Sequence, residues 1–288
     1  MTEKTIKLIV PDWQAGDNPI YQLGAQVLNV AAPKNKNIET VNIEIADSHQ
    51  PLVKENNVRA QSAIFKNVSA TKDAILDKNP DRIITLGGNC LVSQAPIDYL
   101  NGKYDNLGII WIDAHPDIST PRVFDNEHAM VVGNLLHRGD PKLAGLVDNP
   151  LRPEQIYHAG LVDPTPDEEK LLKEANLDYT LIKGNELDLA DVQKWIKKNN
   201  FTHLYIHLDV DVMNPDPKNF YPTYFNNPDI ADIPYNAAVG KASRQSTFDF
   251  IYKLSQQNDL VGFTIAEFMP WGVREMQNLM NLTGMFEA

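Results

Sequence analysis

The run Leu107-Gly108-Ile109-Ile110-Trp111-Ile112-Asp113-Ala114-His115-Pro116-Asp117 changes character at its midpoint. Residues 107–112 are almost continuously apolar, the pattern of a strand buried on both faces of a parallel sheet. Residues 113–117 bring two carboxylates and an imidazole at alternate positions. While the chain stays extended, side chains two apart point to one side, so Asp113 and His115 project together. Asp117 follows closely, where Pro116 ends the strand. One capping aspartate after a strand needs no special explanation. Three ionisable groups do, because buried charge is unfavourable unless a counter-charge meets it.

Further apolar runs lie at 6–10, 41–45, 82–86, 156–159, 179–182, 204–208 and 261–265, bounded by turn residues. With 107–112 they predict eight strands. Between them, 58–79, 166–175, 188–199 and 243–258 carry apolar residues at helical spacing, and Asp163-Pro164-Thr165-Pro166 reads as a helix start. This alternation predicts an α/β fold: three α/β/α layers around a mostly parallel sheet of about eight strands, as one domain over 1–288. The stretch 214–235 is rich in Pro, Asn and Asp and has no period, as expected of a functional loop.

A hydrophobic content of 43% supports a sizeable core, while every apolar run is too short to cross a membrane. The opening Met1-Thr2-Glu3-Lys4 enters a strand without the apolar stretch of a signal peptide, which points to the cytoplasm. Lys and Arg total 26 against 38 Asp and Glu, a formal charge of −12 that argues against a nucleic-acid surface. The single cysteine, Cys90, excludes an internal disulfide and leaves a thiol to act as core filler, metal ligand or nucleophile.

Ligands of open parallel sheets bind beyond the carboxyl ends of the strands. There the segment His207-Leu208-Asp209-Val210-Asp211 repeats the acidic pair of 113–117. Two such pairs ending two strands point to one shared, oxygen-rich metal site. Carboxylate with imidazole suits Mn²⁺, Zn²⁺ or Fe²⁺, and the oxygen excess favours Mn²⁺. His207 stands outside the acidic pair and reads as a core histidine whose hydrogen bonds are met locally.

The strings Asp-Ala-His-Pro-Asp at 113–117 and Asp-Val-Asp at 209–211 resemble the two metal-binding signatures of the arginase/agmatinase/formiminoglutamase (ureohydrolase) family. Leu86-Gly87-Gly88-Asn89-Cys90 resembles that family's Gly-Gly-Asp-His turn. Gly160-Leu161-Val162-Asp163 resembles its strand before the substrate-side helix, and Ala266-Glu267-Phe268-Met269-Pro270 its late Glu-x-x-Pro element. The resemblance implies a pair of manganese ions holding a hydroxide that attacks the central carbon of a guanidinium or formimino group, with release of urea or formamide. It makes Asp113 and Asp209 bridges between the ions. His115 and Asp211 complete one ion's set, and Asp117 serves the other, with the residue at position 90. Glu267 matches the glutamate that binds the substrate's guanidinium, a planar cation suited to a carboxylate. His128, in Glu127-His128-Ala129, matches a mobile-loop histidine able to shuttle protons near neutral pH. Glu168 and Ser119 fall at the substrate end. The partners implied are a small guanidino or formimino compound and further copies of the chain, as a trimer or hexamer.

Departures from the family bear on function. Position 90 carries cysteine where the family has a metal-ligating histidine, and Asn89 precedes it in place of aspartate. Thiolate prefers Zn²⁺ or Fe²⁺ to Mn²⁺, so one or two ions are expected, Mn²⁺ or, on account of Cys90, Zn²⁺ or Fe²⁺. The aromatic run Phe220-Tyr221-Pro222-Thr223-Tyr224-Phe225 stands where a glycine-rich stretch is common and would reshape the pocket mouth. Thr165 occupies the place where arginases hold the substrate's amino group with an aspartate, which points away from arginine. The sequence therefore supports a metal-dependent hydrolase of linear C–N bonds. The alternatives are a single-metal amidohydrolase and a catalytically impaired relative with a binding or regulatory role.

Overall fold

Apolar runs with no polar alternation need cover on both faces, and in the computed structural model they line up side by side between two helical layers. The structure describes residues 3–47, 50–177, 179–215 and 238–287. The aromatic run 220–225 and most of the stretch 214–235 lie outside the described residues. The strands are β1 (Thr5–Val10), β2 (Glu39–Asn42), β3 (Lys54–Glu55), β4 (Val58–Arg59), β5 (Arg82–Gly87), β6 (Leu107–Ile112), β7 (Ile156–Ala159), β8 (His203–Asp209) and β9 (Asp259–Ala266). Seven of them form one sheet in the order β2-β1-β5-β9-β8-β6-β7 with every neighbouring pair parallel.

The helices are α1 (Ile20–Ala31), α2 (Gln61–Lys78), α3 (Gln94–Lys103), α4 (Val131–Leu135), α5 (Pro141–Ala144), α6 (Pro166–Glu174), α7 (Leu189–Asn199), α8 (Arg244–Gln257) and α9 (Val273–Leu282). Apolar residues of α2, α3 and α6 pack with Leu8, Ile83, Ile109 and Trp111 on one sheet face. Those of α1, α7, α8 and α9 pack with Ile9, Ile84, Ile110 and Ile206 on the other. Successive strand residues thus feed opposite cores, which explains why the strands are apolar throughout.

Three differences from the sequence expectations have local causes. Among the described residues the run 179–182 contributes a single parallel bridge, His158↔Tyr179, beside β7, and the sheet there has seven strands and not eight. Its side chains are partly or fully exposed at the sheet edge, Leu181 among them, and bury too little to extend the pairing. The helix expected from 58 begins at Gln61, because Val58–Arg59 pairs back on Lys54–Glu55. Asn56 and Asn57, both with positive φ, supply the tight two-residue turn that such a hairpin requires. Finally, β2 lies at Glu39–Asn42, slightly ahead of 41–45.

Helix starts follow their capping chemistry. Thr165 and Glu168 form a capping box around Pro166 at the head of α6, while the Asp188 and Ser243 side chains cap α7 and α8. No helix among the described residues is long and apolar enough to cross a membrane.

Candidate metal centre

Parallel strands point their carboxyl ends the same way, so the residues just after β5, β6, β8 and β9 meet on one edge of the sheet. Cys90 arrives from β5, Asp113, His115 and Asp117 from β6, Asp209 and Asp211 from β8, and Glu267 from β9. Register brings the pairs into contact: Ile112 lies opposite Leu208, and Leu208 opposite Ile265.

The acidic pairs are held by their own backbones. His115 N donates to Asp113 Oδ1 at 2.7 Å, and Asp211 N donates to Asp209 Oδ1 at 2.7 Å. The Trp111 indole N–H adds a bond to Asp113 Oδ2 at 3.1 Å. His115 Nδ1 stands 3.3 Å from Asp113 Oδ1 and 3.0 Å from Asp211 Oδ2. The Cys90 thiol donates to Asp209 Oδ2 at 2.8 Å and has Glu267 Oε1 at 3.8 Å.

Three groups of donor atoms lie close enough together to share an ion: Asp113, His115 and Asp211; Cys90, Asp113, His207 and Asp209; and Asp209, Asp211 and Glu267. In each group the donor atoms all fall within 4.8 Å of one another. Asp117 belongs to none of these groups. Its carboxyl is buried with Oδ2 lacking a partner among the described residues, while its carbonyl accepts from Val132 N at 2.9 Å at the head of α4.

Crowding of like charges marks the electrostatics. Asp113 is pushed up to about 7 by burial and by the facing Asp211 carboxylate. Burial and the neighbouring carboxylates also raise Asp117 and Asp209 well above the carboxylate range. For Asp211 burial acts upward, but the facing His115 outweighs it and holds the carboxyl low. For His115 burial acts downward, but Asp211 and Asp113 outweigh it and raise the imidazole. Burial and the surrounding acids push the Cys90 thiol up. Such a set is short of positive charge. Asp117 Oδ2, Asp211 Oδ1 and His207 Nε2 are buried without hydrogen-bond partners among the described residues, and the donor types suit a divalent cation, so the residues present fit one.

The structure brings His128 to Glu267. Its Nδ1 lies 2.7 Å from Glu267 Oε1, while Tyr21 Oη donates to Oε2 at 2.6 Å. Asp117 and Glu267 both take positive φ, 47° and 58°, a conformation that side-chain-bearing residues adopt sparingly and that clusters at functional sites. Ser119 is buried behind Asp117, and its N–H donates to Ala129 O at 2.8 Å, tying this loop to the turn that carries His128. Glu168 turns back onto its own helix start, where Oε2 accepts from Thr165 N at 2.7 Å.

Several site features escaped the sequence reading. Tyr21 sits on α1, which the sequence reading did not mark as a helix although Tyr21, Ala25 and Leu28 recur there at helical spacing. Asn89 donates to both the carbonyl and the carboxylate of Asp12, at 2.9 and 3.1 Å, which an aspartate at 89 could not do. His207 is fully buried and stacks on Trp111 with ring centroids 3.6 Å apart, and its Nδ1 meets Ser93 Oγ at 2.8 Å while Nε2 has no hydrogen-bond partner among the described residues. Burial holds this imidazole down at about 3, hence neutral and able to act as a ligand. Its signal was the even spacing 207, 209, 211, which places it on the same side of the strand as the acidic pair.

The family model described as Arginase family matches residues 20–218. The arginase of Staphylococcus aureus (strain COL) is 27% identical over 187 residues, 62% of this chain and 60% of that protein. The chain thus spans less than two thirds of the length of the curated relatives it matches. In fold, it is similar to Entamoeba histolytica arginase in complex with L-ornithine, with a TM-score of 0.79 at 17% identity, covering 100% of this chain and 99% of the other. It is also similar to formimidoylglutamase from Bacillus subtilis, with a TM-score of 0.64 at 13% identity over 98% and 86% of the two chains.

Proposed function

Because this chain belongs to the arginase family, as the match over residues 20–218 shows, we propose that it is a metal-dependent hydrolase of linear C–N bonds in a guanidino or formimino compound. The observation that carries this reading is the convergence of Asp113, His115, Asp209 and Asp211, in overlapping groups of donor atoms within 4.8 Å of one another, at the carboxyl ends of two adjacent parallel strands. Carboxylates crowded this tightly need a cation, and an ion bound there supplies a water deprotonated near neutral pH as the nucleophile.

The chain's own residues take the remaining roles in this proposal. Asp113, His115, Asp209 and Asp211 would hold the ion, and Asp117 and Cys90 would serve a second one where two bind. Glu267 binds the cationic amidine of the substrate, and Tyr21 fixes the rotamer of that carboxylate. His128, 2.7 Å from Glu267 and partly exposed, carries the proton to the leaving nitrogen. Ser119 lines the substrate end. Glu168, whose carboxylate caps its own helix, is placed at the substrate end as a binding residue. The proposal extends to Mn²⁺, Zn²⁺ or Fe²⁺ as the ion, a cytoplasmic location and a homo-oligomeric assembly.

The deciding experiment joins a metal count to product detection. Protein reconstituted with Mn²⁺ or Zn²⁺ is assayed for urea, ammonia and formamide over a panel of guanidino and formimino compounds, beside the variant Cys90→His. Metal-dependent release from at least one compound is expected, together with a gain of Mn²⁺ occupancy in the variant. Failure to retain any ion after reconstitution would sink the reading.

A further inference from the structure

The structure assigns to Cys90 and His207 a joint role as a sulfur and nitrogen ligand pair that, with Asp113 and Asp209, forms a thiophilic metal site at one end of the centre. This rests on the metal-dependent reading above and specifies which residues bind and which ion they select. The four donors come from three different strand ends and lie within 4.8 Å of one another. Four is the number that tetrahedral Zn²⁺ takes, and sulfur, imidazole and carboxylate are its ligands.

His207 provides the independent observation. It is wholly buried, and its Nε2 has no hydrogen-bond partner among the described residues, an arrangement that a folded interior avoids unless something else supplies the partner. Its orientation is held from two sides. The ring lies against Trp111 at 3.6 Å and 10° between planes, and Ser93 Oγ takes Nδ1. A metal-ligating histidine is usually held in this way, through a hydrogen bond at its second nitrogen.

Ser93 also closes the short helical turn that begins at Cys90. One turn therefore presents the thiol and orients the imidazole, so the two ligands are placed as a unit. The family resemblance puts a histidine at position 90. Here sulfur occupies that position, and an imidazole reaches the same group from β8.

The chemistry balances without a redox partner. The ion displaces the thiol proton, which now rests against Asp209 Oδ2, and that proton leaves to solvent as the sulfur–metal bond forms. The resulting thiolate favours Zn²⁺, Fe²⁺ or Co²⁺ over Mn²⁺, whereas the Asp113, His115 and Asp211 group offers only oxygen and nitrogen.

Cobalt absorption spectroscopy tests the assignment without relying on turnover. Full-length protein loaded with Co²⁺ is expected to show a thiolate-to-cobalt charge-transfer band in the near ultraviolet. Cys90→Ser should abolish the band while ion binding elsewhere in the centre persists. His207→Gln should keep the band and weaken Co²⁺ binding at that site roughly tenfold or more. Zn²⁺ should outcompete Mn²⁺ in the wild type and lose much of that advantage in both variants. Stoichiometric Co²⁺ binding with no charge-transfer band, or unchanged affinity in His207→Gln, overturns the assignment and leaves the hydrolase reading standing. A wild type that binds no ion overturns both. Should His207→Gln fail to fold, wild-type protein loaded with isotopically enriched cadmium gives the same answer by NMR. One cadmium resonance should couple both to the β-protons of the single cysteine and to a histidine ring in contact with Trp111. Coupling to the cysteine without the ring removes His207 from the site.

Discussion

Tyr21 Oη donates to Glu267 Oε2 at 2.6 Å, joining the first helix to the loop after the last strand across 246 positions of sequence. His128 Nδ1 holds the other carboxylate oxygen at 2.7 Å. Glu267 thus reaches the centre with both oxygens oriented before any substrate arrives, and its carboxylate lies at 3.8 Å from the Cys90 sulfur. Preorganised charge of this kind binds a cation without the cost of ordering it first.

Removing the phenol should therefore damage binding more than turnover. A hydrogen bond to a charged group is worth about 1.5–3 kcal/mol, so Tyr21→Phe is expected to raise KM for the cationic substrate by roughly tenfold or more, with a smaller change in kcat. Steady-state kinetics on the substrate found in the panel assay measures this. An unchanged KM would remove Tyr21 from substrate recognition.

The acidic cluster makes the metal-free protein sensitive to alkali. Asp113, Asp117 and Asp209 have folded pKa values above their unfolded ones, Asp113 at about 7 against 3.8, so the native state binds protons more tightly than the unfolded chain. For Asp113 that stability is full below about pH 4 and is lost as pH rises through about 7, and Asp117 and Asp209 act in the same direction, each losing its contribution as pH rises through its own raised pKa. Unfolding of the apoprotein should become easier across that window. A divalent ion at a hundred times its Kd adds about 2.7 kcal/mol at neutral pH. That corresponds to a rise of roughly 5 °C in Tm, read by differential scanning calorimetry with and without chelator.

Glu127 offers a second pH test outside the cluster. Its side chain is buried, Oε1 accepts from Asn134 at 2.7 Å, and Oε2 has no partner among the described residues. Burial pushes its pKa well above the ordinary value, so its contribution is present in acid and disappears as pH rises through the folded pKa. Glu127→Gln keeps an acceptor for Asn134 and cannot ionise. The variant should match or exceed wild-type stability near pH 8, and its advantage should shrink near pH 5, in paired urea titrations. A variant less stable than wild type at the higher pH would show that the ionised form is the one the fold requires.

Gly24 is the contact point between α1 and the segment after β9. A Cβ built there would lie 1.6 Å from Phe268 O, so Gly24→Ala must push the helix and the segment apart. Overpacking of this kind costs about 1–3 kcal/mol, equivalent to a Tm lower by roughly 2–6 °C for a chain of this length. Because Tyr21 and Glu267 lie on the two separated elements, this variant should also share the raised KM of Tyr21→Phe. Thermal melting and kinetics on the same preparation check both effects.

Residues 107–117 illustrate what could be read in advance. Burial on both faces leaves a consecutive apolar run, and the pleat gives alternate residues one direction, so both the strand and the joint projection of Asp113 and His115 follow from local order. The same reasoning located Asp209 with Asp211, and the caps at Thr165, Asp188 and Ser243 mark helices near their expected positions. It overextended at 179–182, where a short apolar run lies at an exposed sheet edge, and it missed the hairpin at 54–59, whose turn depends on two asparagines in a left-handed conformation.

By itself, then, the sequence determined the layered α/β architecture and the acidic strand ends, because burial and pleating act between residues close in the chain, while the anomaly at Cys90 emerged only against the family's pattern. The tertiary structure alone decided that Tyr21 holds Glu267, that Asn89 fastens the Cys90 turn to Asp12, and that His207 joins the cluster with one nitrogen lacking a partner among the described residues. Those relations depend on sheet order and register, which bring β5, β6, β8 and β9 together although 177 positions separate Cys90 from Glu267. Periodicity within a segment carries no record of which strand will lie beside it.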